Sequence, residues 1–111
     1  MRLPNGVELS PLIVPVVVTP EFYVGLEACG DTTFGHCAVF TRWTPTLARK
    51  VRAAMDATFA AHGGPVFVAS HQPHGGDHAK FRKFVGLMGF EFFRTVRGTD
   101  DADHAVFVRW R

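Results

Sequence analysis

Apolar side chains recur at helical spacing in two stretches of the chain and run together or alternate elsewhere. Leu47, Val51, Met55 and Phe59, with Ala54 beside them, form one stripe. Thr44 offers an N-cap hydroxyl, and Pro45 takes the first helical position, where its missing N–H costs no bond. Gly63-Gly64 stops this helix. Phe81, Phe84, Val85 and Met88 give a second stripe at i, i+3, i+4, i+7. Asp77 is placed to cap it, and Gly89 to end it, because glycine alone adopts positive φ cheaply. Residues 65–69 between the two helices are a short unbroken apolar run, the pattern of a strand buried on both faces. Pro73 and Gly75-Gly76 mark 71–76 as the loop that follows.

The other apolar runs read as strands. Residues 22–29 and 34–41 flank the turn residues Gly30-Asp31-Thr32-Thr33, which predicts a hairpin. Residues 1–20 place Pro4, Pro11, Pro15 and Pro20 around branched aliphatics. Proline cannot donate to a ladder, so this stretch is an edge strand or an extended arm, laid on this chain or on a neighbour. Residues 90–93 open another strand, 98–103 form a polar turn, and 104–110 form a last strand with Ala105, Phe107 and Arg109 on one face. The order strand, hairpin, helix, strand, helix, strand, strand predicts an α/β fold. Its mixed β-sheet is flanked by two main helices, parallel where a helix crosses over and antiparallel at the C-terminal end. Residues 1–20 are the arm or edge strand, and 21–111 a single domain.

Composition narrows the class. A chain of 111 residues is one domain, and 47% hydrophobic content supports a core that is aromatic in character, with eleven Phe against one Tyr. No apolar run approaches the roughly 20 residues of a membrane span. The run at 12–18 is short and broken by Pro15, which argues against a signal peptide, so the chain is expected not to be secreted. A net charge of +2 is too small to argue for nucleic acid. The charge is uneven, however. Residues 1–41 carry one base against four acids, a net −3, and residues 42–111 carry eleven against six, a net +5. That half permits an acidic partner without requiring one.

Residues 34–110 in this order resemble the core of the GCN5-related N-acetyltransferase (GNAT) family. The resemblance is most specific at His78 to Phe90, HAKFRKFVGLMGF, which looks like that family's penultimate helix with its closing Gly-Phe pair. The resemblance implies a GNAT-like fold, here truncated at its N-terminal side. Family enzymes bind the cofactor pyrophosphate on a Gly-rich turn before the first crossover helix. Here that junction, residues 40–49, contains no glycine, Trp43 is bulky, and Pro45 has no amide to offer. The position that often holds the family's general-acid Tyr is Val85, and the one that often holds a cofactor-facing Asn is His78. The order, with Cys29-Gly30-Asp31 in its hairpin, is also similar to small GNAT-like internal virion proteins of short-tailed bacteriophages. These departures favour a non-catalytic structural or assembly protein of a phage virion, with no cofactor and no metal. Its partners would be other virion or assembly proteins met through residues 1–20, with room for a homo-oligomer, in the virion or the bacterial host cytoplasm. The alternative is an acetyl-CoA-dependent N-acetyltransferase with an atypical cofactor turn. The second alternative is a basic nucleic-acid-binding module.

If the chain is an enzyme, His71 and His78 are its candidates for proton transfer, and Thr44 and Thr46 its candidates for holding the cofactor. His71, His74 and His78 also have a spacing that could gather a divalent metal beside Asp77; a polar loop and helix cap explains them more simply. Cys29 and Cys37 lie symmetrically about Thr33, so a hairpin centred there would bring them within disulfide reach. The simpler reading is two buried thiols acting as small apolar groups. Arg49, Arg52, Lys80 and Lys83, with Trp43 and Trp110 as exposed aromatics, are the candidate interaction residues; a solvated helix face explains the charges more simply.

Overall fold

The computed structural model describes residues 2–4, 6–70, 78–99 and 101–110, and of His78 the backbone alone. Among them, strands β1 (Ile13–Val18), β2 (Phe22–Cys29), β3 (Thr32–Val39), β4 (Val66–Ala69), β5 (Glu91–Arg97) and β6 (Asp103–Arg109) form one sheet in the order β1-β2-β3-β4-β6-β5. Helix α1 (Pro45–His62) joins β3 to β4, and α2 (His78–Leu87) precedes β5. β3 and β4 run parallel, and the other neighbours are antiparallel. This is the expected mixed α/β sheet with two helices. The hairpin turn is tighter than the four residues expected at 30–33. Gly30, at φ 61°, and Asp31 make a two-residue turn, and Thr32 and Thr33 join the ladder opposite Cys29 and Ala28.

The two helices end where their sequences require. Thr44 Oγ1 accepts the Leu47 amide at 3.1 Å. Gly63, at φ 77°, closes α1 by donating its amide to the Phe59 carbonyl. Gly89 lies beyond α2 at φ 87°. Leu47, Val51, Met55 and Phe59 from α1, Val85 from α2 and Met88 just after it share one core with Val24, Val66 and Phe107 of the sheet, so both helices cover the same sheet face. Gly35 on β3 allows that close packing: a Cβ there would lie 3.1 Å from Val66 Cγ1 and 3.7 Å from the Phe59 ring.

Arg109 ties β6 to α1 and to the turn that follows α2. Its side chain is only 12% exposed, bonds Asp56 of α1 at 2.6 Å and the Met88 carbonyl at 3.1 Å, and lies over the Phe59 ring. Burial alone would raise the Asp56 pKa, but hydrogen bonds from Arg109 and Arg52 outweigh it and hold the carboxyl below its ordinary value. A depressed folded-state pKa gives stability that is present above the unfolded-state value and is lost as pH falls through the folded one. Acid titration of wild type and Asp56→Asn, followed by circular dichroism, should therefore show the wild type losing more stability between about pH 5 and pH 2.

The opposite sheet face is covered unevenly. Leu3 and Leu9 pack on Tyr23 with Ile13, Ala38 and Phe40, so the N-terminal stretch lies on this chain's own sheet. β1 is an edge strand whose register shifts between Pro15 and Val17, the irregularity expected of a proline-bearing edge. Over β4, β6 and β5 the same face stays open among the described residues, with Phe93 41% and Trp110 53% exposed. β4 is therefore not buried on both faces as its apolar run predicts. Val66 is buried under α1, while Phe67 to Ala69 are half-buried.

Candidate functional site

The parallel pairing of β3 and β4 is registered at Phe34 opposite Phe67. Beyond it, toward the carboxyl ends, a cleft of about 250 Å³ lies between Gly35, His36 and Cys37 on one side and Val68 and Ala69 on the other. Phe59, Phe81 and Phe84 of the helices wall it. Crevices at the carboxyl ends of parallel strands are where open α/β sheets hold ligands. Both helices begin at this end of the sheet, which brings their positive dipole ends toward it.

His36 lines the cleft, and its side chain pairs with Glu27, which lies outside the cleft lining. His36 Nε2 lies 2.8 Å from Glu27 Oε1, with the two side chains 17% and 22% exposed. An imidazole fixed by a carboxylate is the arrangement of a positioned base. Sequence reasoning missed this pair because it centred the hairpin on Thr33. A turn at Gly30-Asp31 puts Glu27 opposite Phe34, diagonal to His36 on one sheet face.

The cysteines serve differently from expectation. Cys37, opposite Val24, lines the cleft, and burial pushes its thiol up to about 12, so it is not a nucleophile at neutral pH. Cys29, opposite Thr32, is exposed, and its pKa is raised by desolvation and by the neighbouring Glu27 carboxylate. The two neither face each other nor are both buried. Iodoacetamide followed by mass spectrometry should label Cys29 in the native protein and reach Cys37 only after unfolding.

Five of the candidate interaction residues gather between α1 and α2. Trp43 meets Phe84 edge-on at 5.6 Å, and with Lys80, Lys83 and Leu87 they line a groove of about 420 Å³. Arg49, Arg52 and Leu87 line the adjoining depression. Arg52 bonds Asp56 at 2.9 Å and the Leu87 carbonyl, while Arg49 reaches Thr46 Oγ1. Trp110 stands apart, against Phe67 and Phe93 on the open sheet face. Of the cofactor candidates, Thr44 caps α1 and Thr46 accepts from Arg49. His71, His74 and Asp77 lie outside the described residues, as does the His78 side chain. Among the described residues no three His, Cys, Asp or Glu side chains gather as metal ligands. Nor is any helix long and apolar enough to cross a membrane.

The fold has counterparts among solved structures. AAC(6')-Ib in complex with parmomycin and acetyl-CoA superposes with a TM-score of 0.67 at 13% identity, over 90% of this chain and 66% of that one. AAC(6')-Ib with ribostamycin and coenzyme A gives 0.66 at 15% identity, over 90% and 65%. The NatC complex bound to Gag peptide and CoA gives 0.54 at 12% identity, over 81% and 59%. The chain thus has a GNAT-like fold and spans less than two thirds of the length of these neighbours. No family model matches it, and no curated protein matches it in sequence. The expectation of a protein without cofactor is corrected here: the structures that share this fold hold acetyl-CoA or CoA.

Proposed function

We propose that this chain binds acetyl-CoA, or a related CoA thioester, and transfers the acyl group to a primary amine. The observation that carries this reading is the apolar cleft between β3 and β4, in a fold whose solved counterparts hold CoA. The residues present fit such a ligand in two parts. Phe81, Phe84 and Val68 suit a narrow pantetheine arm. Trp43, Lys80 and Lys83 offer a stacking surface and cations for an adenine ring and phosphates. A backbone nest is missing, since Pro45 has no amide and Thr44 occupies that of Leu47. Lysine charge compensates for it in this reading.

The bound donor would supply an electrophilic thioester carbonyl. His36, oriented by Glu27, takes a proton from the amine as its nitrogen bonds the carbonyl carbon. The carbon–sulfur bond would break as the amide forms, and His36 would return the proton to the departing thiolate. The virion-assembly reading has no counterpart among the comparisons.

Charge reversal tests the donor site. Lys80→Glu with Lys83→Glu should weaken CoA binding by about 10- to 100-fold at low salt in calorimetry, with the gap narrowing near 0.5 M salt as screening grows. Unchanged affinity at low salt would remove the lysines from the site. Thiol release from acetyl-CoA across a panel of primary amines tests the chemistry, and a rate no higher with amine than without it contradicts transfer.

A further inference from the structure

The open sheet face holds a second and larger recess. It measures about 620 Å³, and its floor is aromatic: Phe34 of β3, Phe67 of β4 and Phe93 of β5. Phe67 and Phe93 meet edge-on at 5.4 Å, and Phe34 tilts against Phe67 at 6.3 Å. Their alignment follows from register. Phe34 pairs with Phe67, and the shift between Phe92 and Arg94 turns Phe93 onto the same face. This volume and lining suit a small molecule with a flat apolar body.

The permanent charge lining the recess has one sign. Among the described lining residues there is one permanent charge, Arg94, and no carboxylate. Arg94 lies 5.1 Å over the Phe93 ring, and no carboxylate pairs with it among the described residues. Arg97, on the same strand, differs: it is paired with Asp101 at 3.0 Å and Asp103 at 3.5 Å. His104 is held at the far wall by its bond to the Ser70 carbonyl. A guanidinium stacked on an aromatic floor presents its fork to a planar anion, and a carboxylate matches it in two parallel hydrogen bonds. The recess also adjoins the cleft. Ala69 lines both, and Phe34 of the recess is two residues from His36 on one strand face.

We propose that this recess binds a small aromatic amino acid, or an arylamine of similar size bearing a carboxylate. The ring lies on Phe34, Phe67 and Phe93, and the carboxylate is held by Arg94. The amine is directed toward Ala69 and the cleft; its role as acyl acceptor rests on the acyl-transfer reading, whereas binding of the aromatic carboxylate does not.

Trp110, in contact with Phe67 and Phe93, reports occupancy by fluorescence once Trp43 is replaced by Phe. In that background, titrations with L-phenylalanine, 4-aminobenzoate and the carboxylate-free phenethylamine and aniline measure the preference. The two carboxylates should bind at least 10-fold tighter than their carboxylate-free partners, and Arg94→Gln should abolish that preference. Phe93→Leu, a mild change on an exposed strand, should weaken all four ligands. Equal binding of acids and amines, a preference that survives Arg94→Gln, or no saturable signal at millimolar ligand would each overturn the proposal. Acetyl-CoA binding, measured in parallel on the protein that keeps Trp43, separates the two readings. CoA binding without recess binding sinks only this proposal, and recess binding without CoA sinks only acyl transfer.

Discussion

Replacing His36 with glutamine is expected to lower amine-dependent acyl transfer by about 10²- to 10⁴-fold, with the Kd for acetyl-CoA unchanged. Glutamine keeps a hydrogen bond to Glu27 but cannot take a proton. The loss should therefore fall on turnover and leave the fold and donor binding intact. Glu27→Gln should give a smaller loss, because the imidazole remains and only its orientation and charge support weaken. Stopped-time thiol release gives turnover, calorimetry gives Kd, and a melting curve shows whether the variant is folded. Wild-type turnover in a folded His36→Gln protein would show that the base lies elsewhere.

Phe59→Ala is expected to cost about 3–5 kcal/mol of stability. The ring is 2% exposed and meets Phe90 edge-on at 5.7 Å. It also carries Arg109 over its face and walls the cleft opposite Gly35. No neighbour is free to refill the space, since Phe90 and Val66 are themselves packed in the same core. Small domains hold only about 5–15 kcal/mol in total, so the melting temperature should fall by roughly 10–20 °C or more. Phe59→Leu keeps most of the volume and should cost much less, of order 1–2 kcal/mol. A shift of only a few degrees for Phe59→Ala in calorimetry would mean that α1 is not anchored through this ring.

The helices were legible because their signals are local. Thr44-Pro45, Gly63 and Gly89 mark their ends in sequence, and the stripes Leu47 to Phe59 and Phe81 to Met88 point where the structure points them. The β3–β4 parallel pair followed from the crossover helix, a rule of topology. The hairpin centre was not legible to one residue. Gly30 at positive φ moves it to Gly30-Asp31, and that shift joins Glu27 with His36 and separates Cys29 from Cys37. The open face was hidden for another reason. The apolar run at 66–69 looks the same whether one side of the strand is covered or both, and only the tertiary arrangement decides. The cofactor expectation rested on the turn before α1 and on Val85 and His78, and left the groove between the helices out of account. A missing glycine turn removes amides, but Lys80 and Lys83, more than thirty residues later in sequence, reach the groove beside Trp43.

The central claim is that the cleft and its basic groove hold a CoA thioester. Its most direct test is the melting temperature of the purified protein with increasing acetyl-CoA, and with CoA in parallel. A ligand that binds only the native state stabilises it by mass action, about 2.7 kcal/mol at a hundred times its Kd. The account predicts a saturable rise with both ligands, blunted in the protein carrying Lys80→Glu and Lys83→Glu. No rise with either at millimolar concentration would contradict it.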